Sequence, residues 1–383
     1  MKIRYGVNFI GKEVFDRMHI AIITKNMNAG GAERVIAQLL GTWCSQGIRC
    51  SLICINPEKP FYTVPDAVNC IGIPSFSSNR KVDKIRKYIR LRQVVLRMHP
   101  DVVLSMPEEI GIYAALALVG TGIPVVISER NNPWIMPYKK ITRILRRVVY
   151  PFVKGLIFQT NRAASFFSVS QQRKGVVLQN PLDLTRLPNI AIGEREKTVV
   201  SAGRLEPQKN FDLLLDAFAD FYRNHTEYRL EIYGEGSLRA QLTDHIERLG
   251  LPQGTVLLPG VSDNLLEKIN YAGMFVLPSD YEGMPNVLIE AMACGIPCIS
   301  TDCPAGGPAE IINDGQNGLL VPTGDRGAMA SAMRTIADNQ VIAKMFSQQY
   351  ETTRERFDTN VVCQKWLDYL KIVSAGGRFS LRK

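Results

Sequence analysis

Only four histidines occur in this chain of 383 residues, at positions 19, 99, 225 and 245, and the last three fall in helical patterns that read as inert surface. Chemistry that needs several imidazole acid/base groups is therefore disfavoured. Cysteine is present but unorganised. The eight at 44, 50, 54, 70, 294, 298, 303 and 363 include no Cys-x-x-Cys pair, and most sit inside apolar patterns. That argues against a zinc site or a disulfide framework and for buried thiols in a reducing cytosol. No uninterrupted apolar stretch approaches the ~18 residues that would cross a bilayer. The N-terminus also lacks the ~7–15-residue apolar core of a secretory signal. No Asp-x-Asp metal pair is evident, and Gly30-Gly31 does not extend into Gly-x-Gly-x-x-Gly, which disfavours a dinucleotide cofactor. These absences leave a soluble protein or one attached to a membrane surface.

What is present is ordinary in amount and uneven in placement. Hydrophobic residues make up 46% and charged residues 21%, as in globular proteins. The length exceeds one ordinary domain and suggests two, each with its own core. Residues 1–180 carry 26 Lys+Arg against 10 Asp+Glu, a balance of +16, whereas residues 181–383 carry 20 against 26, a balance of −6. A basic first half suits an anionic membrane surface or a phosphate-bearing acceptor. No nucleic-acid partner is expected, because no recognisable nucleic-acid module accompanies the charge.

Short apolar runs at 19–24, 51–55, 101–104, 124–128, 155–159 and 176–178 alternate with helical patterns such as 32–46, 109–118 and 138–149. Runs of this kind come from strands buried on both faces of a parallel sheet. A second series has strands at 198–203, 228–233, 256–258, 274–278 and 298–300, with helices from Phe211, Ser237, Asn264, Pro285 and Pro308. The expected fold class is α/β, two Rossmann-like domains facing a cleft, with ligands at the carboxyl ends of the strands. The boundaries read as an extension at 1–17, a first domain at 18–180, a linker at 181–197 holding Pro181 and Pro188, a second domain at 198–358 and a C-terminal helix within 359–383.

Residues 279–314 are the most informative stretch. Pro285 suits a first helical turn, Gly283 lets the backbone approach a ligand, and free amides at the helix start attract phosphate. Glu290 follows Glu282 by eight residues, about two turns into that helix at ~3.6 residues per turn. The two carboxylates can then meet different parts of one long ligand, and a nucleotide-sugar with its diphosphate over the amides fits that layout. Arg204 and Lys209 follow a strand that ends at Gly203 and suit a diphosphate whose charge grows as it leaves. A plain surface ion pair is the alternative. Gly30 and Gly31, between the first strand and helix, allow a phosphate or sugar to approach, or form a simple tight turn.

Taken together, the pair Glu282/Glu290, the run from Gly203 to Lys209 and the segment Asn28-Ala-Gly-Gly-Ala-Glu-Arg resemble family 4 retaining glycosyltransferases with the GT-B fold. The likeness runs from about His19 to about Lys371 and is nearest to bacterial enzymes of O-antigen, capsule, polysaccharide and lipid-linked oligosaccharide assembly. It implies that Arg204 and Lys209 bind the donor diphosphate, Glu282 the hydroxyls of the transferred sugar and Glu290 the ribose. The backbone of Gly283, Met284, Pro285, Asn286 and Val287 completes those contacts, and the last helix crosses back to the first domain. Retention is then expected by front-face departure and attack, with the leaving phosphate helping to deprotonate the acceptor. No metal or other cofactor is expected, since cations and helix amides already answer the diphosphate charge. Many members carry a histidine after the fifth strand of the first domain. Here Ser128-Glu129-Arg130-Asn131-Asn132-Pro133 stands there, and Glu129 either acts on an acceptor hydroxyl or pairs with Arg130.

Two segments are candidates for a membrane surface. Residues 80–98 place Val82, Ile85, Ile89 and Leu96 at helical spacing among eight Lys/Arg, and residues 139–149 carry Lys139, Lys140, Arg143, Arg146 and Arg147. Each is either an amphipathic helix packing its apolar stripe inward, a contact with an anionic bilayer, or a grip on a pyrophosphate-linked acceptor. The function expected is transfer of an N-acetylhexosamine or hexose from a UDP-sugar to a lipid-linked glycan or polysaccharide precursor, at the cytoplasmic face of the plasma membrane. The alternatives are a nucleotide-sugar epimerase on the same fold and a non-catalytic binding subunit. Few histidines and an intact set of Arg204, Lys209, Glu282 and Glu290 favour the transferase.

Overall fold

The computed structural model describes residues 18–191 and 193–377, so the extension expected at 1–17 lies outside the described residues. The first domain runs β1 (His19–Thr24), α1 (Gly31–Ser45), β2 (Arg49–Cys54), β3 (Asn69–Gly72), α2 (Arg80–Met98), β4 (Val102–Ser105), α3 (Glu108–Ala117), β5 (Val125–Ser128), α4 (Lys140–Val149), β6 (Gly155–Phe158), α5 (Asn161–Ser165), α6 (Val169–Gln172) and β7 (Gly175–Val177). Its seven strands are all parallel, in the order β3-β2-β1-β4-β5-β6-β7. Every residue of β1 is buried, because helices cover both faces. Ile20, Ile22 and Val126 pack towards Val35, Leu39 and Trp43 of α1. Ile23, Val103 and Ile127 pack the other way, towards Leu91 of α2, Ile112 of α3 and Tyr150 just beyond α4.

The second domain runs β8 (Glu196–Ala202), α7 (Phe211–Tyr222), β9 (Arg229–Tyr233), α8 (Arg239–Leu249), β10 (Val256–Gly260), α9 (Leu265–Ile269), β11 (Ala272–Leu277), α10 (Asn286–Ala293), β12 (Cys298–Thr301), β13 (Leu319–Val321), α11 (Arg326–Asp338), α12 (Gln340–Ser347) and α13 (Tyr350–Phe357). Its sheet is also parallel, in the order β10-β9-β8-β11-β12-β13. The last helix, α14 (Thr359–Ser374), leaves this domain and buries Trp366, Leu367 and Leu370 in the core of the first. Trp43 Nε1 donates to the Cys363 carbonyl at 3.0 Å, and Trp366 Nε1 donates to the Gln179 carbonyl at 3.0 Å. An apolar face buried in this way holds a helix far better than its propensity does.

The departures from the sequence pattern have local causes. β3 is a largely exposed edge strand and β13 a three-residue edge strand, so neither shows a long apolar run. The helix expected from Pro308 is one 3-10 turn, Pro308–Glu310, after which Ile311 and Ile312 turn into the core. Pro285 is the N-cap of α10 and not its first residue. Among the described residues no helix is long and apolar enough to cross a membrane.

Candidate active site

Five strand ends meet where the domains touch. Loops after β1 and β5 approach loops after β8, β11 and β12. A Cβ added to Gly31 would lie 3.6 Å from Asn286 Nδ2, so the N-terminus of α1 faces the N-terminus of α10. The amides of Asn286 and Val287 have no acceptor among the described residues. Two helix starts aimed at one spot make that spot favourable for an anion.

The charged side chains around it come from both domains. Lys209, ending the short turn after β8, sets Nζ 2.5 Å from Glu282 Oε1, and Ser279 Oγ donates to the same oxygen at 2.7 Å. This pair is largely buried, with side-chain exposures of 13% and 8%. Arg204, on the same loop as Lys209, is exposed, and its charge acts on Glu33 of the first domain. Glu290 is also engaged, by the Arg34 guanidinium of α1 across the cleft. Burial works against the charge on Arg34, but Glu290 outweighs it and raises the pKa. Glu33 lies against Gly30, where a Cβ would collide with its carboxylate. Burial raises the Glu33 pKa, opposed by its own amide and by the charges of Arg130, Arg204 and Lys25. Cations on β1, β5 and β8 loops thus converge on one anionic position.

Two expected site residues take other parts. The space beside Gly283 belongs to the protein: a Cβ there would strike the Arg130 carbonyl and the Gln159 side chain of the first domain. The missing side chain serves domain contact. Glu129 does not face the cleft. It is 2% exposed, the Tyr150 hydroxyl donates to its carboxylate, and its charged neighbour is Arg146 at 3.9 Å and not Arg130. Burial, then the Glu108 carboxylate, pushes its pKa up to about 8 against the pull of Arg146 and Tyr150. The alternation along β5 explains the direction, since Val125, Ile127 and Glu129 share the face covered by α3 and α4. Met284 likewise turns its side chain into the core, leaving its backbone for the cleft.

Residues passed over in the sequence tie this region together. Asn180 donates from Nδ2 to the Met284 carbonyl at 3.1 Å and to Asn286 Oδ1 at 2.6 Å, while its Oδ1 accepts from Arg130 at 2.7 Å. Arg162 makes a two-pronged contact with Asp302 at 2.6 and 3.0 Å, and the Asn161 amide donates to Glu310 at 2.7 Å. Arg34 alone had a visible signal, as the last residue of the 28–34 motif. Among the described residues no group of three His, Cys, Asp or Glu is placed to hold a metal.

Away from the cleft, the apolar row expected on α2 does not pack inward as a stripe; Leu91, Val94 and Val95 do instead. Val82, Ile85 and Ile89 of α2 are exposed at 38%, 60% and 53%, and only Leu96 of that row is half-buried. On α4 the exposed row is Ile141, Ile144 and Val148. The buried positions include Lys87, bonded to Asn56 and Ser75, and Arg146, bonded to the Met136 and Pro133 carbonyls. Lys81, Lys84, Arg90, Lys140 and Arg147 stay exposed around the apolar rows.

Comparison with known proteins is consistent along the chain. Residues 29–186 match the profile of glycosyltransferase family 4, and residues 186–356 match glycosyl transferases group 1. The GalNAc-alpha-(1->4)-GalNAc-alpha-(1->3)-diNAcBac-PP-undecaprenol alpha-1,4-N-acetyl-D-galactosaminyltransferase of Campylobacter jejuni is 28% identical over 91% of this chain and 97% of its own length. The amylovoran biosynthesis glycosyltransferase AmsD of Erwinia amylovora is 24% identical over 90% of this chain and 96% of its own. Among solved structures, Anabaena HepE with UDP-glucose superposes with a TM-score of 0.77 at 18% identity, covering 93% of this chain and all of HepE. Sucrose-phosphate synthase of Thermosynechococcus elongatus gives 0.81 at 17% identity, over 94% of this chain and all of that one.

Proposed function

The chain belongs to the family 4 retaining glycosyltransferases of the GT-B fold, and we propose that it moves an N-acetylhexosamine or hexose from a UDP-sugar to a lipid-linked glycan or polysaccharide precursor. The observation that carries this reading is the meeting of two helix starts with Arg204, Lys209, Glu282 and Glu290 at the facing ends of two parallel sheets. In support, relatives of nearly full length act on undecaprenyl-diphosphate-linked glycans, and HepE, a structural neighbour, holds UDP-glucose.

In this reading the diphosphate lies over the amides of Asn286 and Val287 and the Gly30-Gly31 turn. Arg204 and Lys209 stabilise its growing charge as the sugar departs. Glu282 accepts from sugar hydroxyls, and Glu290 exchanges Arg34 for the ribose. Departure and attack occur on one face, and the leaving phosphate takes the acceptor proton. No divalent metal is needed, because side-chain cations and helix amides answer the charge. Glu129 has no part in the acceptor site.

The exposed rows on α2 and α4, ringed by lysine and arginine, support attachment to an anionic bilayer, each nearby cation contributing ~1 kcal/mol. We place the enzyme at the cytoplasmic face of the plasma membrane. UDP release on addition of lipid extract tests the activity. Glu282→Gln should abolish transfer while UDP binding stays nearly intact, and EDTA should leave the wild-type rate unchanged. Equal loss of transfer and UDP binding would remove Glu282 from the sugar, and strict dependence on manganese or magnesium would remove the metal-free leaving group.

A further inference from the structure

A cavity of about 440 Å³ opens between the C-terminal ends of α3 and α4, at the end of the sheet opposite the cleft. Its walls are the side chains of Ala115, Leu116, Ile123, Val148 and Phe152 and their apolar neighbours, and Lys154 is its one charged lining residue. The volume falls within the ~300–1,000 Å³ of small-molecule sites. Nothing in the proposed transfer reaction uses it.

Two features keep these walls apolar. The C-terminal carbonyls of a helix ordinarily need polar partners, and here cations behind the walls supply them. Arg92 donates to the Ala117 carbonyl at 3.0 Å and to the Val119 carbonyl at 2.7 Å. Lys174 Nζ donates to the carbonyls of Tyr150, Pro151 and Val153 at 2.6, 2.9 and 2.8 Å. With those oxygens satisfied elsewhere, the cavity presents hydrocarbon. Its mouth is hydrocarbon too. Phe152 is 80% exposed, Val119 65% and Val148 56%, and Val148 continues the row from Ile141 and Ile144.

Along the segment that lines the cavity the exposed charge has one sign. Between Ile110 and Phe158 the sequence holds a single carboxylate, Glu129, and that one is buried. Lys154, a lining residue, and Arg147, next to the lining residue Val148, are exposed. An apolar slot beside an exposed apolar row, with cations at its rim, matches a molecule with a hydrocarbon tail and an anionic head. We propose that this cavity takes one acyl chain of an anionic bilayer phospholipid, with the headgroup on Lys154 and Arg147. The proposal rests on the reading that the α2–α4 face meets a membrane, and it adds that the contact includes a chain-specific slot.

The test separates slot from surface. The full chain is titrated with monomeric dihexanoyl phosphatidylglycerol below its micelle concentration, with dihexanoyl phosphatidylcholine as control, and separately with phosphatidylglycerol vesicles. Wild type should bind the monomeric glycerol lipid saturably and the choline lipid more weakly. Ile123→Trp, which fills the slot, should weaken monomer binding roughly tenfold, and Lys154→Gln about fivefold. Val119→Trp, on the exposed rim, should act like Ile123→Trp without risk to the core. The pair Ile141→Ser and Ile144→Ser should spare monomer binding and cut vesicle binding. Absence of saturable monomer binding, or binding as strong as wild type by both Ile123→Trp and Val119→Trp, overturns the slot even where vesicles still bind. Monomer binding lost in the slot variants, in a protein that ignores vesicles, upholds the slot and overturns the membrane reading.

Discussion

The two domains share one architecture and treat charge in opposite ways. In the second domain the charges that matter are drawn inward: Glu282 is held by Lys209 and Ser279, and Glu290 by Arg34 reaching over from the first domain. In the first domain cations are spread outward around exposed isoleucine and valine, while its one promising carboxylate, Glu129, is buried and pushed towards neutrality. The contrast teaches that a motif carboxylate is held ready by a cation, whereas a carboxylate without a strong partner is folded away. On the proposed function it also separates a domain that binds a compact anionic ligand from one that meets an extended anionic surface.

The sharpest way to break this contrast is at Lys209. Lys209→Ala leaves Glu282 largely buried without its cation, so it should destabilise the fold by roughly 3 kcal/mol and also remove ~2–4 kcal/mol of transition-state stabilisation. Arg204→Ala should cost a similar amount of activity with no change in melting temperature, because Arg204 is exposed. Thermal melts beside kcat/KM measurements check both. If the two variants melted alike, the inward-drawn charge would be no different from a surface one.

A smaller effect is expected on the first domain. Replacing Lys81, Lys84, Lys140 and Arg147 with Gln should weaken binding to phosphatidylglycerol vesicles by ~1 kcal/mol per contacting residue, and salt should weaken the wild type in the same sense. UDP-sugar affinity should not move, since the residues proposed to bind the donor lie mainly in the other domain. Vesicle binding unchanged in the variant would make the basic surface a merely solvated face. Normal vesicle binding with activity lost only on pyrophosphate-linked acceptors would assign these cations to the acceptor.

The smallest expected change concerns Glu129. Its pKa in the folded protein, about 8, lies above the ordinary 4.5 of a glutamate carboxyl. Between those values the native state holds a proton that the unfolded chain has released, so this group's contribution to stability falls as pH rises through that window. Glu129→Gln keeps the neutral form at every pH. Its melting temperature relative to wild type should therefore rise between about pH 5 and pH 8 and level off above that, as melts across that range would show. A difference that stayed flat would mean that Glu129 ionises freely in the fold.

Much of the fold is legible in the chain because strands buried on both faces leave continuous apolar runs. His19–Thr24 and Cys298–Thr301 are such runs, whereas the edge strands Asn69–Gly72 and Leu319–Val321 are too short and too exposed to leave one. Local spacing also revealed which second-domain residues share a loop and a helix, because Arg204 with Lys209, and Glu282 with Glu290, are near neighbours in sequence. Contacts across the cleft left no such trace. That Arg34 would take Glu290, that Gly283 would give its space to Arg130, and that Asn180 would bind both sides depend on how two separately folded sheets dock. The same holds for the helices facing outwards. An amphipathic pattern shows that a helix has two faces, but not which one the rest of the protein will cover. On α2 and α4 the cover was decided by Leu91, Val95 and Val149 packing inward, and that left Ile85, Ile89, Ile141 and Ile144 to the outside.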